Sequence, residues 1–550
     1  MGSAANLHWT LLLTFTASAI LPVVGQILES LLRNDGVVVS YCPVASAIGK
    51  RVLIDGGNAV DAAVAVAFAL AVTYPQAGNL GGGGFMLIHL DRGETHCLDY
   101  RETAPRHACL ADYVDPAASV VGARAVGVPG TVAGLAAALA RFGRMSWDRI
   151  LAPCIALAET GTWVTTRQGA AYQVYAAELE RFPSTRAALF VDGAVPKPGT
   201  LLAHPELGRT LRELADDGPA AFYRGRIAQR IDDEVRRGGG RLDLEDLSAY
   251  RCRWREPVRT ELRDTLLWTP PLPSTGGFLL RQILAFIESQ GGEQLSLDAP
   301  DYAVLVARSC RAAYGLRRDV GTDPDHAGTD RAPAVRTDLD ETERELARAS
   351  HPTARQLPPA GAERSTTHFC VLDRDGNAVS NTYSLNTLFG AKLAVSWAGF
   401  LLNNSMDDFF LGPGHANWYS LVDGPANELR PNRRPVSSMT PVVVTTAGRA
   451  RLLIGGSGGP RIPTMLAQTT LAASRLRLRE AIARPRIHHQ LTPDAVWAEP
   501  DVPEAWLAAL ARAGFRIEQR QALGVAAGIS WLPEPDEVAI CLDPRFGAVG

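Results

Sequence analysis

Two extended runs, THFCVLD (367–373) and AVSNTYSL (378–385), flank the residues Arg374–Asn377, and together they read as a β-hairpin. A three-residue loop, Arg374-Asp375-Gly376, suits a type I turn closed by a glycine in the left-handed conformation. That loop sets a register in which Thr366 faces Ser384, and opposed residues have Cβ atoms about 4.5–5.5 Å apart. A two-residue Asp-Gly loop would shift the pairing by one. Two opposed hydroxyls are ordinarily a routine cross-strand hydrogen bond.

The routine contact does not account for what precedes it. Residues 319–365 are charged and rich in Pro and Ala, which predicts a solvent-exposed, partly disordered linker. It ends where the threonine begins. A threonine hydroxyl is a poor nucleophile without a base, and one solution is the residue's own α-amine at a chain terminus. Such an enzyme is made as a precursor and cut before that threonine.

Upstream, helical and extended patterns alternate. Residues 44–55 have helical periodicity and run into Gly56-Gly57. Asn58 can cap the next helix, AVDAAVAVAFALAV, which is apolar almost all round and therefore buried. The run GNLGGGGF precedes two strand-like runs, FMLIHL and THCLDY, and reads as close-packed backbone. It lacks the spacing of a dinucleotide-binding loop and leads into a strand rather than a helix. VGVPGTVAGLAAALARFG opens another helix, and helical patterns continue to about Glu288 with one interruption, residues 250–277, which mixes extended stretches with a Pro/Gly-rich loop.

The chain has 550 residues, enough for one large domain or two to three ordinary ones, and 46% hydrophobic content supplies a sizeable core. A net charge of −3 carries no polyelectrolyte signal, so nucleic acid is not an expected partner. The eight cysteines are scattered without any C-x-x-C, which argues against a zinc site and leaves room for one or two unassigned disulfides. His488 and His489 lie on an extended stretch and point opposite ways, so no metal is expected there. The hydrophobic stretch within residues 1–26 reads as a cleaved export signal, a signal anchor or an extension before the true start.

STTHFCVLDRDGNAVSNTYSLNTLFG, GFLLNNSMDDF, RPNRRPVSSMTP and GGSGGPRI closely resemble the small subunit of gamma-glutamyltransferases. GGNAVDAAVAVAFAL, GNLGGGGFMLIHL, LDYRETAP, VGVPGTVAGL and PPLPSTGG resemble the large subunit in the same order. The resemblance implies an α/β fold of the N-terminal-nucleophile hydrolase kind, a four-layer αββα sandwich formed jointly by two subunits from one precursor. It implies cleavage between Ser365 and Thr366, giving a large subunit (27–365) and a small one (366–550). Thr366 would be the nucleophile and Ser384 its hydroxyl partner, where the family has a second threonine. Arg101 would bind the α-carboxylate of a γ-glutamyl group together with Ser437 and Ser438. Asp408, Asn386 and Ser405 would face its α-amino group.

Ser405 stands where the family commonly carries glutamine or glutamate, so one contact there is expected to be lost or bridged by water. The backbone N–H groups of Gly458 and Gly459 would form the oxyanion hole, and Tyr419 would sit on a lid loop. No cofactor is implied. The expected partners are glutathione and related γ-glutamyl compounds, with water or an amine as acceptor. The one sequon, Asn403-Asn404-Ser405, falls inside this presumed site, which favours a secreted or periplasmic bacterial enzyme. Two alternatives remain: an amide hydrolase of the cephalosporin acylase type, and a non-catalytic homologue.

Overall fold

The structure is a computed structural model, described here over residues 35–327, 332–348, 365–532 and 537–547. Two six-stranded sheets dominate it. Their strands, in chain order, are β1 (Val37–Ser40), β2 (Gly83–His89), β3 (Thr95–Asp99), β4 (Arg253–Arg255), β5 (Val258–Leu262) and β6 (Thr265–Thr269). They continue with β7 (Thr366–Leu372), β8 (Ala378–Ser384), β9 (Val442–Thr446), β10 (Arg449–Ser457), β11 (Val525–Leu532) and β12 (Glu537–Leu542). The first sheet runs β1-β7-β8-β2-β3-β4 and the second β12-β11-β10-β9-β6-β5, with every neighbouring pair antiparallel.

Helices cover both outer faces. Over the first sheet lie α1 (Pro43–Ile54), α2 (Ala59–Thr73), α3 (Thr131–Phe142), α4 (Trp147–Thr160) and α5 (Pro205–Asp217). Over the second lie α6 (Thr275–Ser289), α7 (Pro300–Val320), α8 (Leu339–Arg348) and α9 (Arg461–Ala473). The inner faces of the two sheets pack together through β7, β8, β10 and β11. The result is the expected four-layer αββα sandwich. Helix α7 carries the helical region well past Glu288, where the sequence pattern fades.

Strand alternation decides what each residue of the hairpin sees. Tyr383 reaches back into the helical layer, its hydroxyl donating to the Ala67 carbonyl of α2 at 2.9 Å. Residues of the other parity, Thr366, His368 and Cys370, face the second sheet. There the His368 ring fills the space a side chain at Gly455 would need. Helix α2 is buried along its whole length, as its apolar pattern demands, and Asn58 opens it with a capping box to Asp61.

The linker reading requires correction over residues 319–327 and 332–348. Leu339 is fully buried, and Leu346 packs so closely on Gly315 of α7 that no side chain fits there. Two of the charges of α8 are paired with α7: Arg308 binds Asp340 and Glu343, both at 2.5 Å. Just before α8, the Arg336 carbonyl accepts from Gln282 at 2.7 Å. Composition registers charge as solvated and does not reveal that opposite charges stand ready on α7. The rest of the linker expectation falls on residues 328–331 and 349–364, outside the described residues. All eight cysteines carry free thiols, so neither disulfide is formed.

Because Asn58 accepts from two backbone N–H groups and also donates to the Phe142 carbonyl at 2.6 Å, Asn58→Ala is expected to cost about 1–2 kcal/mol. A lowered thermal or urea midpoint measures it.

Candidate functional site

Gly376 takes the left-handed conformation (φ 93°) at the hairpin turn, and Asp373 accepts from the N–H groups of Asp375 and Asn377. The resulting ladder pairs Thr366 with Ser384. Thr366 Oγ1 donates to Ser384 Oγ at 3.2 Å, and the Asn386 N–H donates to the same oxygen at 2.9 Å. Ser384 Oγ in turn lies 3.5 Å from the Ser365 carbonyl, the carbonyl that Thr366 would attack. On the other side of β7, pairing with β1 stops at Phe369, so the ladder ends short of Thr366 there.

The glycine run makes the close approach to this corner feasible. A side chain at Gly82 would strike the Ser384 carbonyl, and one at Gly81 the Leu401 carbonyl. Both contacts require bare backbone.

Arg101, just after β3, is 1% exposed. Its guanidinium donates to Asp408 (2.5 Å), Glu102 (2.9 Å), Ser405 (3.3 Å) and the carbonyls of Pro435 (3.3 Å) and Val436 (3.2 Å). A guanidinium has five N–H bonds, so this one is fully engaged within the protein. Burial pushes the Asp408 carboxyl above the usual carboxylate range, while Arg101 pulls it down. Burial acts the same way on Glu102, again opposed by Arg101. Asp407 points elsewhere, accepting from Ser119 (2.9 Å) and from the Trp418 N–H (2.7 Å). It anchors the loop that follows.

That loop carries Tyr419. Asn417 folds it back by accepting from the N–H groups of Tyr419 and Leu421, both at 3.0 Å. The Tyr419 hydroxyl donates to the Asn386 carbonyl at 2.9 Å and lies 2.5 Å from the Ser365 hydroxyl, which also bonds the Asn386 carbonyl. The Tyr419 ring covers Gly459, where a Cβ would come within 2.8 Å of it. Gly459 has φ 57° and Gly458 φ 140°, left-handed backbone that favours glycine. Both precede α9, whose N-terminal N–H groups bring partial positive charge to the cleft.

One cleft is lined by Arg101, Thr366, Ser384, Asn386, Asp408, Tyr419, Ser437, Ser438 and Gly459. Gly458 and Ser405 are not among its lining residues, and Ser405 lies behind Arg101 rather than beside Thr366. Two charged residues at or behind the cleft went unnoticed in the sequence. Arg317 of α7 also lines the cleft, held by Asp423 and by Thr275 Oγ1 (3.2 Å), and Glu102 supports Arg101 from behind. In LDYRETAP the one signal for Glu102 is its adjacency to Arg101; Arg317 had none. The two histidines are tied up structurally: His488 bonds Thr464 (2.8 Å) and Gln490 (3.0 Å), and His489 lies 3.2 Å from Asp494.

Ser384→Ala would remove the acceptor shared by the Thr366 hydroxyl and the buried Asn386 N–H. Scission of the 365–366 bond is expected to slow roughly tenfold to a hundredfold, from about 1–3 kcal/mol of lost bonding. Ser384→Thr should retain it. A time course of the two product chains on a denaturing gel distinguishes these outcomes.

Comparison with known proteins agrees with this geometry. A family model described as Gamma-glutamyltranspeptidase matches residues 45–548. The chain is 38% identical over 504 residues to a glutathione hydrolase proenzyme of Pseudomonas aeruginosa, covering 88% of this chain and 89% of that one. It is 36% identical over 527 residues to the glutathione hydrolase proenzyme of Escherichia coli K12, covering 93% and 90%. Its backbone is similar to a cephalosporin acylase structure from Bacillus halodurans, with TM-score 0.80 and 25% identity over 93% of this chain and 95% of that one. The chain therefore belongs to the gamma-glutamyltranspeptidase family of self-processing N-terminal-nucleophile hydrolases.

Proposed function

We propose that this protein cleaves the γ-glutamyl amide bond of glutathione and related compounds, passing the glutamyl group to water or to an amine. The observation that carries the reading is the shared cleft: Thr366, bonded to Ser384, opens onto the same space as the Arg101–Asp408 pair. In the intact chain, Thr366 Oγ1 adds to the Ser365 carbonyl carbon and the amide nitrogen leaves as the new α-amine, giving an ester. Water then hydrolyses the ester. The products would be chains ending at Ser365 and beginning at Thr366, with the freed α-amine available as base for the next attack.

In turnover the same hydroxyl attacks the γ-carbonyl of the substrate. The leaving amine, that of cysteinylglycine when glutathione is the substrate, takes a proton and departs, and a γ-glutamyl acyl-enzyme remains until water or an acceptor amine attacks it. The N–H groups of Gly458 and Gly459 would hold the tetrahedral oxyanion, a role commonly worth about 2.7–4 kcal/mol per donor.

Recognition follows from the ion pair. An α-amino acid head group carries both charges, so its carboxylate can take the place of Asp408 on Arg101 while its ammonium takes the place of Arg101 on Asp408. Ser437 and Ser438 would complete the carboxylate site, and Asn386 the ammonium site. A ligand with a carboxylate alone leaves Asp408 buried without a counter-charge, at substantial cost. The similarity to a cephalosporin acylase structure favours a second reading, a glutaryl amide hydrolase, and the same argument weighs against it. The hydrophobic N-terminal segment supports action outside the cytoplasm, and residues 1–34 lie outside the described residues.

Intact mass and N-terminal sequencing of purified protein should show a small chain beginning Thr-Thr-His-Phe, absent from Thr366→Ala; the large chain's N-terminus reads the fate of the leader. Arg101→Lys should still mature but lose about tenfold to a hundredfold in kcat/KM for a γ-glutamyl anilide, as expected for a broken bidentate charge contact. A glutaryl anilide preferred over the γ-glutamyl one would overturn the reading in favour of the acylase.

The pH dependence has a defined sign. Burial raises the Asp408 carboxyl, and only its ionised form can receive an ammonium. As pH falls through this raised value, KM should climb, at a higher pH than an ordinary carboxylate would allow. Asp408→Asn should remove that acid limb from kcat/KM.

A further inference from the structure

Lys392 is one of only three lysines in the chain, and it is 1% exposed. Its ammonium donates to Leu388 O (2.7 Å), Gly390 O (3.0 Å) and Thr387 Oγ1 (3.1 Å). Three donors meet three acceptors, so the group is satisfied. All three acceptors belong to the turn that leaves β8 immediately after Ser384. The Tyr175 ring lies over the ammonium at 4.7 Å, and Glu178 and Asp407 are the carboxylates that face it. Burial pushes its pKa down to about 8 against the pull of those two acids, which leaves it charged at neutral pH.

The turn needs such a hub. Asn386, Phe389 and Lys392 all have positive φ (78°, 62° and 62°), a conformation that costs free energy in residues other than glycine. The carbonyls of Leu388 and Gly390 point inward, and without the ammonium they would lose a buried partner. Asn404 holds the same turn from the other side, accepting from the Thr387 N–H (3.0 Å) and, through its carbonyl, from Asn386 Nδ2 (3.1 Å). Asn386 in turn lines the cleft and gives its carbonyl to the Tyr419 hydroxyl.

We propose that Lys392 is a positioning residue for substrate recognition, its ammonium fixing the Asn386 turn and thereby both the ammonium-facing amide and the carbonyl on which Tyr419 closes. This rests on the γ-glutamyl reading for its kinetic consequence but not for its structural one. Lys392 bonds neither Thr366 nor Gly458 and Gly459, so its loss should fall on binding rather than on the acyl-transfer step.

The test is Lys392→Met, which keeps the length and removes the charge, assayed with a γ-glutamyl anilide and by amide hydrogen exchange on the folded protein. The expected result is normal scission before Thr366, KM raised about tenfold, kcat within about threefold, and faster exchange confined to residues 386–390, the scale of one lost charge-assisted contact. An unchanged KM overturns the proposal, with or without faster exchange, because the turn would then not serve recognition. If wild-type protein has no γ-glutamyl activity, that reading fails by itself; exchange still decides the role of Lys392, and unchanged protection in the variant overturns it. Should Lys392→Met not fold, Tyr175→Leu removes the aromatic face over the ammonium and should raise KM about twofold to fivefold in the same direction. No rise there overturns the proposal.

Discussion

Everything at the cleft depends on one placement: β7 lies inside the first sheet, hydrogen-bonded to β1 on one side and β8 on the other, and buried on both faces. An interior strand cannot shift register without moving its whole set of side chains to the wrong face. Thr366 inherits that rigidity because it is the first residue of the strand, yet it escapes enclosure because pairing with β1 stops at Phe369. Position and access thus come from the same feature. The apolar helix α2 backs the hairpin from behind, while the bare backbone of Gly81 and Gly82 lets the neighbouring strand and loop come close enough to hold Ser384.

The second constraint is charge. Arg101 and Glu102 are buried and Asp408 is largely so, and both carboxylates depend on the one guanidinium they share, as it depends on them. This mutual dependence explains why three elements far apart in sequence converge: the end of β3, the turn Ser405–Asp408 and the carbonyls of Pro435 and Val436 all meet one guanidinium. The cost of burying the pair also makes it a discriminating receptor. A ligand must restore both charges to the partners it separates.

Much of the hairpin was legible beforehand, because turn chemistry is local: Arg374-Asp375-Gly376 sets the loop, and the loop sets the register that pairs Thr366 with Ser384. The buried α2 was legible for a similar reason, since its pattern has no polar face to expose. The docked half of the linker was not, because its anchor is Arg308 on α7, and a charge's partner across the fold leaves no mark in local composition. Arg317 and Lys392 were missed on the same grounds: each is a buried cation whose acceptors come from tertiary contact or from a turn whose shape the sequence does not announce. Asp407 and Asp408, adjacent and chemically alike, diverge only because the Ser405–Asp408 turn sends one towards Ser119 and the other towards Arg101.

The intact chain shows how the proposed cut and the proposed activity are coupled. Ser365 sits under Tyr419, its hydroxyl bonded to the lid's hydroxyl and to the Asn386 carbonyl, so the residue before the proposed cut is held by the same groups proposed for recognition. Until the 365–366 bond is cut, Thr366 has no free α-amine. The strands on either side of that bond are interleaved, with β7 and β8 between β1 and β2 in one sheet and β9 against β6 in the other, so the ladders that hold the halves together do not depend on the peptide link between them. Scission therefore frees the terminus without freeing the strand, and the geometry that directs the first attack is still in place for the second.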